Sequence, residues 1–188
     1  MGPALRKFVL TAHVASSVGW LGAVVAFFAL AVVGLKGVAS SYFAMNVIGL
    51  WVIVPMSIGS ILTGLVHSLG TDWGLVRHWW VLSKFVLALG ATVLLLLHQF
   101  TAVSEAARRA GAGVPVGRVG VQLAGDSTLA LLVLLVATTL SVYKPWGKTR
   151  FVDPRAPTPM GVKVLASVVA VIGLLAFAAM HLAGAHGH

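Results

Sequence analysis

The chain has 188 residues, of which 59% are hydrophobic and 9% are charged, and its mean hydropathy is +1.01. This composition excludes a water-soluble domain with a polar surface, since such domains carry about 25% charged residues. The formal net charge is +9, but the lysines and arginines lie in short connections between apolar runs, which argues against a nucleic-acid-binding surface. The chain is therefore predicted to be an integral membrane protein.

Charged residues divide the chain into uncharged runs, of which five are each interpreted as one transmembrane helix, for which roughly 20 residues are needed, and the fourth of them is short. The runs cover residues 8–35, 37–71, 85–104, 127–143 and 164–188. The sequence predicts an all-α fold, a polytopic membrane helix bundle with five transmembrane helices in a single domain over residues 1–188. The helices are expected at about 7–34, 42–70, 79–103, 122–143 and 161–184.

Local signals modify two of these helices. Pro55 lies inside the second run beside several small residues, which predicts a kink or a tilt there. Asp126 and Ser127 are predicted to cap the start of the fourth helix, because their side chains can accept hydrogen bonds from free helical N–H groups. Residues 111–115 and 145–159 contain the glycines and prolines typical of loops.

The positions of lysine and arginine predict the orientation in the membrane. With five spans, the side that carries the N-terminus, called side A, holds nine of these residues, and the opposite side B holds four. Because cytoplasmic loops carry an excess of such residues, side A is predicted to be cytoplasmic and the C-terminus to lie outside. The chain is expected to be a multi-pass protein of a bacterial inner membrane. Its expected partner is the lipid bilayer, and no nucleic acid is expected to bind it.

Four of the seven histidines lie within the apolar runs, where ionisable side chains are costly and often functional. His13 and His67 are both expected near side A. His98 follows Lys84 by fourteen residues, roughly 21 Å of helix, and is therefore expected near side B together with His181. These histidines are predicted to form two layers, one near each face of the membrane.

A pair of neutral imidazoles on facing helices is the axial ligand set of six-coordinate haem iron. The chain has no cysteine, so covalent attachment is excluded, and the four histidines are predicted to be the axial ligands of two haem b groups. The helix faces of the side A histidines also carry Trp20, Ser60 and Gly64. The two small residues leave room for a flat macrocycle, and they would equally permit close helix packing.

Other interpretations of these residues remain open. Lys84 and Arg77 are candidates to bind the haem propionates near side A, but the Lys84 side chain could instead extend to lipid phosphates. The histidines could form hydrogen bonds between helices, or belong to another metal site or a proton path. Copper is the alternative metal, although no carboxylate lies deep within a span.

Residues 62–98 and 141–145 resemble a family of small actinobacterial predicted integral membrane proteins without assigned function, and the resemblance extends over most of the chain. The first helix has a more distant resemblance to two other families, which is carried by the spacing of His13, Trp20 and Gly22. It resembles the first helix of copper-resistance D proteins and that of HemJ-type haem-dependent protoporphyrinogen oxidases. The first of these two resemblances implies copper or haem transport or binding. The second implies oxidation of a porphyrin.

The predicted function is that of a membrane b-type cytochrome, which binds two haems by paired histidines and transfers electrons across the bilayer. A quinone or a small redox partner, such as quinol or an oxygen species, would exchange electrons with it. The alternatives are a copper or haem transport or binding protein and a haem-dependent porphyrin oxidase. The sequence leaves open whether the chain is an enzyme. If it is one, a membrane haem oxidoreductase is the expected class.

Overall fold

The computed structural model describes residues 2–71, 74–153 and 160, with the backbone alone at residues 98–100. Within these ranges the chain is helical without β-strands, and four helices are long and apolar enough to cross a membrane. These helices are called spans 1 to 4 and comprise Pro3–Leu35, Ser40–Leu69, Trp79–Gly111 and Arg118–Tyr143. The described residues thus have the all-helical, multi-pass architecture that the sequence predicts. The fifth helix predicted at 161–184 lies outside the described residues.

Spans 1 and 4 are uninterrupted α-helices, whereas each of the middle spans contains one π-helical turn. Span 1 is α1 (Pro3–Leu35), and span 4 is α6 (Arg118–Tyr143). Span 2 consists of α2 (Ser40–Ile48), the turn Gly49–Ile53 and α3 (Val54–Leu69). Span 3 consists of α4 (Trp79–His98), the turn Gln99–Val103 and α5 (Ser104–Gly111). Side A therefore carries the starts of α1 and α4 and the ends of α3 and α6.

The π-helical turn of span 2 lies directly before Pro55. At its end, the Val54 N–H donates to the Gly49 carbonyl, five residues back along the chain. Because proline has no N–H and its ring clashes with the preceding turn of an α-helix, widening that turn relieves the clash. The irregularity predicted at Pro55 therefore takes the form of a wider helical turn.

Span 4 begins earlier than the sequence predicts. The helix starts at Arg118, directly after Gly117, which has a φ of 57°. Asp126 and Ser127 consequently lie inside the helix, and the prediction that they cap its start is wrong. Glycine adopts positive φ without steric cost and so sets the end of the loop, whereas one aspartate inside a helix costs less than about 1 kcal/mol.

Tyr42 of α2 fills the contact between α1 and α6 near side B, where its side chain is buried. A Cβ atom added at Gly34 of α1 would lie 2.7 Å from Tyr42 Cζ, and one added at Gly120 of α6 would lie 2.5 Å from Tyr42 Oη. The two glycines therefore let three helices approach one another around a single aromatic ring.

Replacing Gly120 with alanine is expected to destabilise the bundle by about 1–3 kcal/mol, because the added methyl group overpacks the contact with Tyr42. Gly125→Ala is the matched control, since it lies on the same helix and nothing lies within 4 Å of its added Cβ. Thermal unfolding in detergent measures both variants. Equal midpoints for the two variants would contradict the packing of Tyr42 described above.

A short segment at residues 147–149, called the strap, ties the side A ends of spans 3 and 4 together. The Trp79 N–H donates to the Gly147 carbonyl at 3.2 Å, and the Thr149 N–H donates to the Arg77 carbonyl at 2.8 Å. Thr149 is fully buried in this contact. Backbone hydrogen bonds therefore fix the start of α4 relative to the chain that leaves α6.

Candidate functional site

A cavity of about 580 Å³ opens between spans 1 to 4 at their side A ends. This volume is in the range of about 300–1,000 Å³ that is typical of small-molecule sites. Most of the lining is apolar. Its ionisable side chains, within the described part of the chain, are His13, His67, Lys84 and Lys144. We call this space the side A cavity.

The residues that line the side A cavity extend from the ends of the helices to roughly 14 Å into the spans. Lys144 directly follows α6 and Thr71 lies two residues beyond α3, so both mark the mouth. Ala88 lies nine residues into α4, roughly 14 Å from the start of that helix. The deep end is lined by Ala88 together with Trp20, Leu134 and Ser60.

Hydrogen bonds to α3 hold the His13 side chain in place. Its Nδ1 atom lies 3.0 Å from the Ser60 carbonyl oxygen and 3.3 Å from Thr63 Oγ1. Because a carbonyl oxygen can only accept a hydrogen bond, Nδ1 carries the proton and donates it, and the lone pair of the neutral ring lies on Nε2. His13 therefore presents Nε2 as the atom that can bind a metal or accept a further hydrogen bond.

Small residues on α3 make room for this histidine. A Cβ atom added at Gly64 would lie 2.9 Å from His13 Cε1, and Ser60 Oγ lies 2.8 Å from Ser17 Oγ of α1. Gly64 thus gives room to the His13 ring, and it also lines the cavity. Ser60 joins the two helices and also borders the cavity.

Lys84 of α4 extends into the cavity and reaches His13. Its Nζ atom lies 3.5 Å from His13 Nε2 and can donate a hydrogen bond to the lone pair there. The side chain is half-buried and lines the cavity, so the interpretation in which it extends to lipid phosphates does not describe this structure. Any metal that binds His13 Nε2 requires Lys84 to move away from that atom.

His67, near the end of α3, lines the same cavity and is half-buried. Its Nδ1 atom is buried, and no described residue forms a hydrogen bond with it. A buried polar atom without a partner is costly, and a bound ligand, an ion or a water molecule is its usual partner. His13 and His67 thus line one cavity in the described structure, and their pairing around a cofactor stays a prediction.

The remaining predicted site residues lie elsewhere. Arg77 is exposed in the loop before α4 and does not line the cavity, and its backbone carbonyl is bound by the strap. His98 is the last residue of α4, and its side chain lies outside what the structure describes. His181 lies outside the described residues, so the predicted side B layer remains a prediction.

Lys144 is a cavity residue that the sequence does not single out, since it reads as one more cation in a side A loop. It follows α6 with a φ of 46°, and its Nζ atom lies 5.9 Å from the centre of the Trp80 ring. Trp80 is buried in the wall of the cavity. Only the packing of span 3 against span 4 brings the two together, and no pattern within either span encodes that pairing.

No family model, curated protein or solved structure matches this chain. The chemistry of the side A cavity is therefore the basis for a functional proposal. The described residues contain no group of three or more histidine, cysteine, aspartate or glutamate side chains that could hold a metal ion. The cavity instead offers two imidazoles, which is the number of protein ligands that a six-coordinate haem requires.

Proposed function

We propose that the protein is a membrane b-type cytochrome whose side A cavity binds one haem through His13 and His67. The observation that carries this proposal is the hydrogen bond from His13 Nδ1 to the Ser60 carbonyl. Metal-binding histidines typically donate their second N–H to a carbonyl or carboxylate, which fixes the tautomer and the orientation of the ring. His13 has this arrangement, with Nε2 directed into a cavity of ligand size.

Three features of the described residues fit a haem in this place. The cavity supplies two imidazoles, its volume suits a ligand of small-molecule size, and its lining is mostly apolar. When bound, haem supplies one-electron redox chemistry. The residues of the chain would hold the iron through His13 and His67, surround the macrocycle with the apolar side chains of four spans, and exclude water from it.

The full proposal includes a second haem near side B, bound by His98 and His181, so that electrons can cross the bilayer. Its support is the sequence, because both histidines are expected at one depth near side B. The proposed topology has five transmembrane helices in a bacterial inner membrane, with side A in the cytoplasm. The excess of lysine and arginine on side A supports this orientation. A quinone in the bilayer or an oxygen species would be the redox partner.

Haem quantification of the purified protein tests the proposal. We expect two haem b groups per chain by the pyridine haemochrome method after mild detergent extraction. His13→Ala should lose one of these haems, because the variant lacks the imidazole that the Ser60 carbonyl orients. His78→Ala is the control, since His78 lies at side A outside the cavity lining.

Two results would contradict the proposal. A colourless protein that is purified from haem-replete cells and cannot be reconstituted with haem would exclude a cytochrome, and copper in that protein would support the transport or binding alternative. Full haem content in His13→Ala, together with an unchanged spectrum, would exclude His13 as a ligand. Conversion of a porphyrinogen by the haem-loaded protein would instead support the porphyrin oxidase.

A further inference from the structure

Span 3 has an exposed face between residues 86 and 101. Its members recur every three or four positions, which is the spacing of residues on one side of a helix. They are Val86, Leu89, Gly90, Val93, Leu97 and Thr101. None of these six residues lines the side A cavity, whereas Lys84 and Ala88 of the same span do. We call the six residues the outer face of span 3.

The outer face has the shape and the polarity of a surface that receives another helix. Val93, Leu96, Leu97 and Thr101 line a groove of about 360 Å³, and side chains of a second helix pack into grooves of this kind. The Thr101 hydroxyl donates to the Leu97 carbonyl at 2.7 Å, so its hydrogen bond is already made within the span. Nothing lies within 4 Å of a Cβ atom added at Gly90, and bare backbone allows a close approach.

The strap brings the chain that leaves span 4 to the side A end of span 3. The Thr149 N–H donates to the Arg77 carbonyl, two residues before α4 begins, and the Asp153 N–H donates to the Thr149 carbonyl. Residues 154–160 then connect Asp153 to residues 161–184, the predicted fifth helix. Such a connection reaches at most roughly 25 Å when extended. The fifth helix must therefore begin close to span 3.

From these features we infer that residues 161–184 pack as a helix on the outer face of span 3, with the groove at Val93 and Leu97 as the centre of the contact. This inference rests on the fifth helix of the proposed function. It adds which surface of the described bundle that helix covers, and it does not depend on the haem in the side A cavity.

The sequence of residues 161–184 fits this surface. No charged residue follows Lys163, so the helix carries nothing that an apolar groove would exclude. Ala166, Ala170 and Gly173 recur at intervals of four and three, which places them on one side of a helix. Small residues allow close packing between helices in a membrane. This side of the helix could therefore lie against Gly90.

The packing has a consequence for the proposed side B haem. His98 is the last of the 20 residues of α4, roughly 30 Å from the start of that helix. His181 lies twenty residues beyond residue 161, also roughly 30 Å along the predicted fifth helix. Because both helices would run from side A to side B, the two histidines would reach one depth on neighbouring helices. The second haem requires this arrangement.

Cysteine cross-linking of the full chain in membranes tests the inference, and the chain contains no cysteine of its own. Val93→Cys is combined in turn with a cysteine at each of residues 173–176. These four positions lie at the depth of Val93 and cover one helical turn, so one of them faces the groove for any rotation of the helix. Trypsin releases residues 85–108 and 164–188 as separate peptides, and mass spectrometry detects the disulfide that joins them.

We expect at least one of the four pairs to be joined in most of the chains after mild oxidation. Ala15→Cys, combined with the same four positions, is the matched control. Ala15 is exposed at a similar depth on α1, which packs against α3 and α6 and so lies across the bundle from α4. These control pairs should remain as free thiols.

Each other outcome overturns a distinct statement. If no Val93→Cys pair exceeds its Ala15→Cys control, lipid covers the outer face and the inference is wrong. A disulfide between two chains that carry Val93→Cys alone would assign the groove to a second copy and would also overturn the inference. Labelling of Gly187→Cys by an impermeant maleimide from the cytoplasmic side alone would overturn the five-helix topology and the packing with it. Haem content at His13 is unaffected by any of these results.

Discussion

Replacing Gly64 with alanine is expected to weaken haem binding in the side A cavity by about tenfold or more. An added methyl group at this position would lie 2.9 Å from His13 Cε1. The imidazole would have to rotate away and would lose its hydrogen bond to the Ser60 carbonyl, the contact that fixes the orientation of Nε2. Overpacking of this kind costs about 1–3 kcal/mol, and 1.4 kcal/mol corresponds to a factor of ten in binding.

Gly22→Ala is the matched control for this variant. Gly22 lies on α1, and nothing lies within 4 Å of a Cβ atom added there. Both variants are titrated with haem and compared by the intensity of the haem absorption bands. If Gly64→Ala binds haem as tightly as Gly22→Ala does, the orientation of His13 is not what determines the affinity.

Removing one histidine from each predicted layer is expected to remove a different haem. His67→Ala should lose the side A haem and keep the other, because it lines the described cavity with His13. His98→Ala should lose the side B haem and keep the first, because its position at the end of α4 lies about 20 residues from side A. Each single variant should therefore retain one haem per chain, with a different reduced-minus-oxidised spectrum.

The double variant His67→Ala and His98→Ala supplies the control, since it should contain no six-coordinate haem. Pyridine haemochrome measurements give the stoichiometry, and electron paramagnetic resonance of the oxidised protein distinguishes the two environments. If both single variants lose the same spectral component, the two histidines belong to one site and the assignment to separate layers is wrong.

The sequence predicts the spans well because the physical requirement is simple. A chain in the bilayer core must satisfy its backbone hydrogen bonds internally, so long apolar runs form helices. The four described spans follow this requirement. Their exact starts depend on local geometry, and the positive φ of Gly117 is not encoded in the hydrophobic pattern. For this reason Asp126 is misassigned as a cap.

The sequence predicts how deep each residue of the candidate site lies in the membrane, but it does not predict which way each helix is rotated about its axis. Counting residues along the helices places His13 and His67 in the side A halves of their spans, and both line the described cavity. How each helix is rotated about its own axis depends on packing between spans. The contact of Lys84 with His13, and that of Lys144 with Trp80, arise from this packing. Depth alone therefore could not show which cations face the cavity.

The strap has a consequence for the order of events during biosynthesis. The cavity takes side chains from spans 1 to 4, and the strap fixes the start of span 3 only after the chain has left span 4. A chain inserted from its N-terminus, as the ribosome delivers it, exposes His13 to the lipid long before the last wall is in place. If the side A cavity binds the proposed haem, its complete binding site forms only after the fourth span has been inserted.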